Sequence, residues 1–511
     1  MTYVVGGYSL DGSYAFGYVS DLFRVTASLV TIAYFAKVDL RQIFVFQGFI
    51  NIQDRLNKKK SLNLSGWFVL SGLFILAASF VALPIIRHRG FGSYFWDMTV
   101  MDQVIWRKAF GYGLTSTAIS GNSNPPLNFL LHQHLNFWLF PTAGLYRLFP
   151  ATETLLILQS LALLLTFIPL WKISKELSPK WAPVCLLPLL YWCMQTIHKN
   201  NIWDIHENCY LPMVSLWAYY FFLKKRWIPV ALCTLAVALF KEDAWVVAGA
   251  MAFYFFSSQK KWFFAILSFL VGFGIYASYG IFFNKINSIS QSYSYLGNNF
   301  SETLPILAKN PFVFIQHLLT PGPLKFLGGT LLLSGGLWLF GGWTIVAIIP
   351  TFFEYALSTK PPMYSFDYHY AIAFLGPLLF AAAKGLNKID SFKLTLFQKK
   401  GILVLAVAIA FSQLTFSEPV AIKNYLVSSN WQERECFQKL IDQIPTDAPV
   451  YGMDPLISHL AKRPLVFAYP TFIPGFLPHS WMAVPEGTKL PDDFEIVKIS
   501  CGLMIASNRK L

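Results

Sequence analysis

Charge is what this sequence has least of. Asp, Glu, Lys and Arg together make up 13% of 511 residues, against roughly 25% in a typical soluble domain. With 55% hydrophobic residues and a mean hydropathy of +0.48, that deficit excludes a soluble globular chain. The six cysteines show no CxxC or His-rich zinc spacing. The polar C-terminal stretch contains no glycine-rich phosphate loop, and no nucleotide-sugar-binding fold is seen. No internal repeat is found, which weakens the case for a repeat-built transporter. No cleavable signal peptide is expected, because the N-terminus is polar and aromatic and the first strong apolar run starts near residue 64.

What the sequence does have is apolar length. About eleven stretches reach or approach the roughly 20 residues a bilayer crossing needs: 64–86, 152–172, 182–198, 208–223, 228–240, 244–256, 262–283, 326–342, 343–357, 370–386 and 401–417. The two short ones, 228–240 and 244–256, read as a hairpin of partly inserted helices. The formal net charge of +14 resides mainly in short loops between these stretches, which is an orientation signal and not a nucleic-acid footprint. "NKKK" (57–60) sets the N-terminus in the cytoplasm. Lys172, Lys175 and Lys180 then fall on the same side, as do Lys224, Lys225 and Arg226, Lys260 and Lys261, and Lys388, Lys393, Lys399 and Lys400.

Three regions follow. Residues 1–63 form a cytoplasmic or interfacial segment whose apolar patch "LVTIAYFAKV" is too short to span. Residues 64–417 form the transmembrane domain, with an outer loop at 87–151. In that loop "MTVMDQVIWRKAF" and "LNFLLHQHLNFWLFPTAGLYRLFP" read as interfacial helices. Residues 418–511 read as a small extracytoplasmic α/β region: an amphipathic helix in "NWQERECFQKLIDQIP", then strand, helix, strand, then an alternating hairpin in "DFEIVKISCGLMIAS". Cys185, Cys193, Cys209 and Cys233 are expected in the apolar core. Cys436 and Cys501 pair if the tail is extracytoplasmic, and remain thiols otherwise.

The scarce charges gather at one membrane side. Asp97 and Asp102 follow the first span, either as reacting carboxylates or as a helix cap and a loop acid. "WDIHEN" packs Asp204, His206 and Glu207 into four residues, which converge if the segment is a turn. "FKEDAW" sets Lys241, Glu242 and Asp243 between two apolar runs. Each of these would cost roughly 2.5–3.5 kcal/mol deep in a bilayer, so the trio belongs at a hairpin tip or in a wet cavity. "YSFDYHYA" offers His369 and Tyr370 before a late span, and His132 and His134 lie in the outer loop. The sequence requires no cofactor, although these acids could take a divalent cation.

One span, a large outer loop with an early aspartate, many further spans and an outer soluble tail resemble the GT-C integral membrane glycosyltransferases. "YFWDMTVMDQVIW" (94–106), "HLNFWLFPTAGLYRLFP" (134–150), "WDIHEN" (203–208), "ALFKEDA" (238–244), "YHYAIAFLGPLLF" (368–380) and "LISHLAKRPLVFAYP" (456–470) resemble, more specifically, an uncharacterised family of bacterial predicted membrane proteins grouped with them. The resemblance covers roughly residues 64–505. Two positions depart from it. Phe137 stands where the family usually has proline, and Glu207 stands where proline usually precedes a glutamate, here Asn208.

The resemblance implies a bacterial inner (plasma) membrane protein. It implies sugar transfer from a polyprenyl-phosphate donor to an unknown glycan, lipid or protein acceptor at the extracytoplasmic face. Asp97, or else Asp102, would be the general base. Asp204, His206, Glu207, Lys241, Glu242, Asp243, His369, Tyr370 and His134 would line the substrate cavity. A transporter or flippase of lipid-linked intermediates and a non-catalytic assembly scaffold are the competing expectations.

Overall fold

The computed structural model describes residues 64–119, 128–282, 291–297, 300–413, 431–454, 456–470 and 475–508. The expected N-terminal segment 1–63 and the stretch 414–430, which includes the end of the last expected span, lie outside the described residues. Each stretch read as a span is largely helical where it is described, but the helices differ in length. Among the described residues, six segments are long and apolar enough to cross a membrane: Leu70–Arg89, Thr152–Leu177, Trp262–Tyr279, Pro321–Phe340, His369–Asp390 and Leu396–Gln413. The remaining stretches are shorter. The hairpin forms as helices Trp227–Ala238 and Ala244–Ser257. The stretch 182–198 breaks into Leu186–Trp192 and Gln195–Ile202. The stretch 343–357 divides into a 3-10 turn, Gly342–Ala347, and helix Ile349–Ala356.

Burial separates a central helix from a peripheral set. Residues Leu375–Ala383 are entirely buried, and Phe380 stacks on Tyr219 of helix Leu211–Leu223 with ring centroids 4.3 Å apart. Peripheral helices turn Phe74, Ile75, Phe263, Leu270 and Phe397 outward. An exposed apolar belt of that kind needs lipid to cover it.

Apolar side chains alone do not hold helices together in lipid, so close backbone packing matters more there. Helices Ala244–Ser257 and Trp262–Phe282 cross where Gly249 meets Gly272. A Cβ on Gly272 would lie 2.5 Å from the Trp245 carbonyl and 3.0 Å from the Gly249 Cα. A second close approach lies after helix Pro321–Leu332. There Ser334, Gly335 and Gly336 adopt φ of 50°, 65° and 74°, and a Cβ on Gly335 would run into the Ala406 carbonyl.

The tail forms one five-stranded sheet. Its strands are β1 (Val450–Gly452), β2 (Val466–Ala468), β3 (Trp481–Pro485), β4 (Phe494–Ser500) and β5 (Leu503–Asn508), in the order β2-β1-β3-β5-β4. β1 is parallel to β2 and β3, and the expected hairpin β4–β5 joins β3 through β5. Helix Trp431–Ile441 packs Leu440 and Ile441 against Val450, Leu503 and Ile505. Cys436 on this helix is disulfide-bonded to Cys501 at the hairpin turn, with Cα atoms 6.4 Å apart. Cys185, Cys193 and Cys209 are buried thiols, and Cys233 is half-buried.

The sheet is docked on the outer loop. Ile457, Val466 and Ala468 share a core with Phe95, Met98 and Val104. Thr117 Oγ1 donates to the Val466 carbonyl at 2.8 Å and accepts the Val466 amide at 3.0 Å.

Replacing Gly272 with Leu should separate the two helices and cost about 1–3 kcal/mol, the usual range for overpacking. Thermal unfolding in mixed micelles measures it. An unchanged midpoint would mean that the crossing is not tightly packed.

Candidate active site

The site begins at the C-terminal end of helix Leu64–Arg89. Arg87 Nη1 pairs with Asp204 Oδ1 at 2.7 Å, and both side chains are buried. The Asp204 Oδ2 accepts the Tyr94 amide at 2.7 Å. The Arg87 guanidinium also lies over the rings of Tyr94 and Trp203, 5.4 and 5.0 Å from their centroids. "WDIHEN" is therefore a turn fastened to the outer loop, and Asp204 is its anchor and not a face of the cavity.

That anchoring lets Trp203 and His206 reach Asp97. Trp203 Nε1 donates to Asp97 Oδ2 at 2.9 Å, and His206 Nε2 lies 3.4 Å from Asp97 Oδ1. The Asp97 side chain remains 31% exposed, so it is oriented yet open. Burial raises its pKa, but His206 and Trp203, with Lys241 beyond, outweigh that and pull it down to about 2. Burial works against the His206 cation in turn, yet Asp97 and Glu207 raise its pKa above the ordinary imidazole value. Each group favours the charged form of the other.

Around this pair stand the other scarce polar groups. The His369 ring stacks on His206 with centroids 3.8 Å apart and on Tyr370 at 4.2 Å. His369 Nε2 is buried and has no hydrogen-bond partner among the described residues. Lys241 is 5% exposed, with Nζ 3.7 Å from Glu207 Oε1 and 5.5 Å from the Tyr370 centroid. Burial alone would lower its pKa, but Asp243 and Glu207 more than reverse this, so the ammonium stays charged. Asp97, His206, Glu207, Lys241, His369 and Tyr370 are thus brought together.

Glu242 and His134 form a neighbouring tie. His134 Nδ1 meets Glu242 Oε1 at 2.8 Å, and the Leu135 amide donates to Oε2 at 3.1 Å. The Phe137 amide donates to the Leu239 carbonyl at 3.0 Å. A proline here would lack that bond, so the departure at Phe137 strengthens the link between outer loop and "KED" turn. Asp243 accepts from the Tyr355 hydroxyl at 3.1 Å, and its second oxygen has no partner among the described residues.

Asp102 is placed differently. It is 0% exposed, and it accepts from the Tyr146 and Thr152 hydroxyls at 2.7 Å each. Burial raises its pKa despite those two donors. A carboxylate with no open face and both oxygens engaged cannot receive an acceptor hydroxyl. Asp102 braces helix Val100–Ala109 against Leu139–Leu148 and the start of Thr152–Leu165.

Sequence reasoning missed Trp203, Arg87 and Asp454. Trp203 directly precedes Asp204, so only its indole donor went unread. Asp454, two residues past β1, accepts the Phe95 amide on Oδ1 at 2.7 Å. Its one signal was a carboxylate at the carboxyl end of a parallel strand, where open α/β sheets place their sites. Among the described residues, no three His, Cys, Asp or Glu side chains are disposed to hold a metal ion.

These features define a polytopic helical membrane protein whose scarce polar groups cluster at one end of its helices. The chain belongs to the family described as "Predicted membrane protein (DUF2079)", which it matches over residues 87–473. No curated protein matches it. It is similar to the crystal structure of ArnT from Cupriavidus metallidurans bound to undecaprenyl phosphate. The TM-score is 0.51 at 10% identity, over 86% of this chain and 98% of that one. The apo form of the same protein superposes with a TM-score of 0.47.

Asp102→Ala would strand two buried hydroxyls, at about 1–3 kcal/mol for each donor left unmade. It should lower the unfolding temperature clearly, whereas Asp97→Asn should leave it nearly unchanged. Equal shifts in a thermal melt of both purified variants would contradict this division of roles.

Proposed function

We propose that the protein is a membrane glycosyltransferase that moves a sugar from a polyprenyl-phosphate donor to an acceptor hydroxyl at the extracytoplasmic face. The observation that carries this is the open Asp97 carboxylate, held by Trp203 and His206 beside a buried ammonium and a partnerless imidazole nitrogen. The GT-C fold shared with a structure that binds undecaprenyl phosphate supports the lipid class. The side is supported by the basic loops, and by the Cys436–Cys501 disulfide, a bond that persists in oxidising compartments.

The chemistry is one displacement. The acceptor oxygen attacks the anomeric carbon while its proton passes to Asp97. The bond from that carbon to the phosphate oxygen breaks, and its electron pair leaves with polyprenyl phosphate. Inversion at the anomeric carbon follows. Lys241 and the His206 cation stabilise the departing charge in a site of low dielectric, and His369 Nε2 is placed to bond a phosphate or sugar oxygen. Asp97, ionised far below neutral pH, orients the acceptor as much as it drives proton removal.

Purified protein in nanodiscs, given a panel of polyprenyl-phosphate sugars, should release polyprenyl phosphate with one of them. Asp97→Asn should lower the rate by about 10²-fold or more, the usual contribution of a general base. Full release by Asp97→Asn would place the base elsewhere. Donor binding without release by the wild type, across a range of acceptors, would favour transport or scaffolding.

The pH profile has a fixed sign. Because His206 has a raised pKa, its charge extends to higher pH than that of an ordinary imidazole and is lost as pH rises through the folded value. Donor affinity should therefore fall on the alkaline side. In His206→Gln it should be weaker and flat across the same range. Filter binding with labelled undecaprenyl phosphate reads both, and an unchanged alkaline limb in that variant would remove His206 from phosphate binding.

A further inference from the structure

The C-terminal region touches the site through one carboxylate. The turn Phe95–Thr99 carries Asp97, and the side chain of Tyr94 before it supplies no cap. The opening amides of a helical turn have no acceptor within the turn. Here two successive amides find carboxylates from far along the chain. Tyr94 N–H donates to Asp204, 110 residues away, and Phe95 N–H donates to Asp454, 359 residues away, each at 2.7 Å. A charged acceptor at such a position makes a stronger bond than a neutral one. Asp204 belongs to the membrane domain, so Asp454 is the contribution of the sheet.

The remainder of Asp454 is exposed, and the groups that face it are Phe95 N–H, Asp97 and Asp204. Ile457, three residues further on, lies in the apolar core with Phe95 and Met98. The carboxylate thus sits at the edge of a packed contact and is held against the turn by it.

We infer that Asp454 is a positioning residue for Asp97: by accepting the Phe95 amide, the C-terminal region fixes the turn that aims the Asp97 carboxylate. The consequence for sugar transfer rests on Asp97 being the reacting carboxylate, but the positioning itself does not. The asparagine variant keeps an acceptor oxygen in place, so it should still hold the turn.

The test is hydrogen exchange at the amides of 94–100 in the full-length protein in nanodiscs, corrected for intrinsic exchange. Asp454→Ala should lower protection there by about tenfold, the equivalent of one hydrogen bond to a charged group. Asp454→Asn should restore it. Unchanged protection in Asp454→Ala, or equal loss in both variants, would overturn the inference. Turnover is not used, so a protein that transfers no sugar would sink the functional reading and leave this one standing.

Discussion

The site depends on one buried ion pair. Arg87 at the end of the first helix and Asp204 in the following half of the bundle meet where water does not reach. Two isolated charges there would each cost several kcal/mol, and removing one partner of such a pair typically costs about 3–5 kcal/mol. The pair therefore leaves little freedom in how "WDIHEN" meets the outer loop. Trp203 and His206, on either side of Asp204, take their places at Asp97 as a result. The same aspartate holds the Tyr94 amide, so the turn bearing Asp97 and the segment bearing its partners share a single anchor.

Around that anchor, charge is distributed by exposure. Asp102 and Asp204 are enclosed and spend their oxygens on internal donors, whereas Asp97 is held by Trp203 and His206 and its side chain stays partly exposed. Glu242 is taken up by His134 and the Leu135 amide. What remains for a ligand is an oriented carboxylate, a buried ammonium and an imidazole nitrogen without a hydrogen-bond partner among the described residues. These are the groups a phosphate-linked substrate and a hydroxyl acceptor would meet. The sheet of the tail closes the arrangement from the other side through the core it shares with the outer loop.

Much of this was legible in the sequence because charge is so scarce there. In an apolar chain each Asp, Glu, Lys or His at a membrane end stands out, and the segments "FWD", "WDIHEN", "FKED" and "YHY" named most of the cluster. Residues 228–240 and 244–256 could be recognised as short, and the structure gives them as helices of 12 and 14 residues. The division of labour was not legible. Asp97 and Asp102 are five residues apart with similar neighbours, and only the approach of Tyr146 and Thr152 encloses one of them.

The sequence by itself determined the membrane class, the position of most of the apolar helices, the small α/β tail and the list of charged candidates. These follow from local composition and period, which neighbouring residues carry among themselves. Tertiary structure decided which carboxylate is an anchor, which is a brace and which is open. It also decided that Trp203, Arg87 and Asp454 belong with Asp97. Those outcomes rest on burial and on hydrogen bonds between residues 106, 117 and 359 positions apart. No local pattern encodes them, because the energy that selects them exists only once the distant segments have excluded water together.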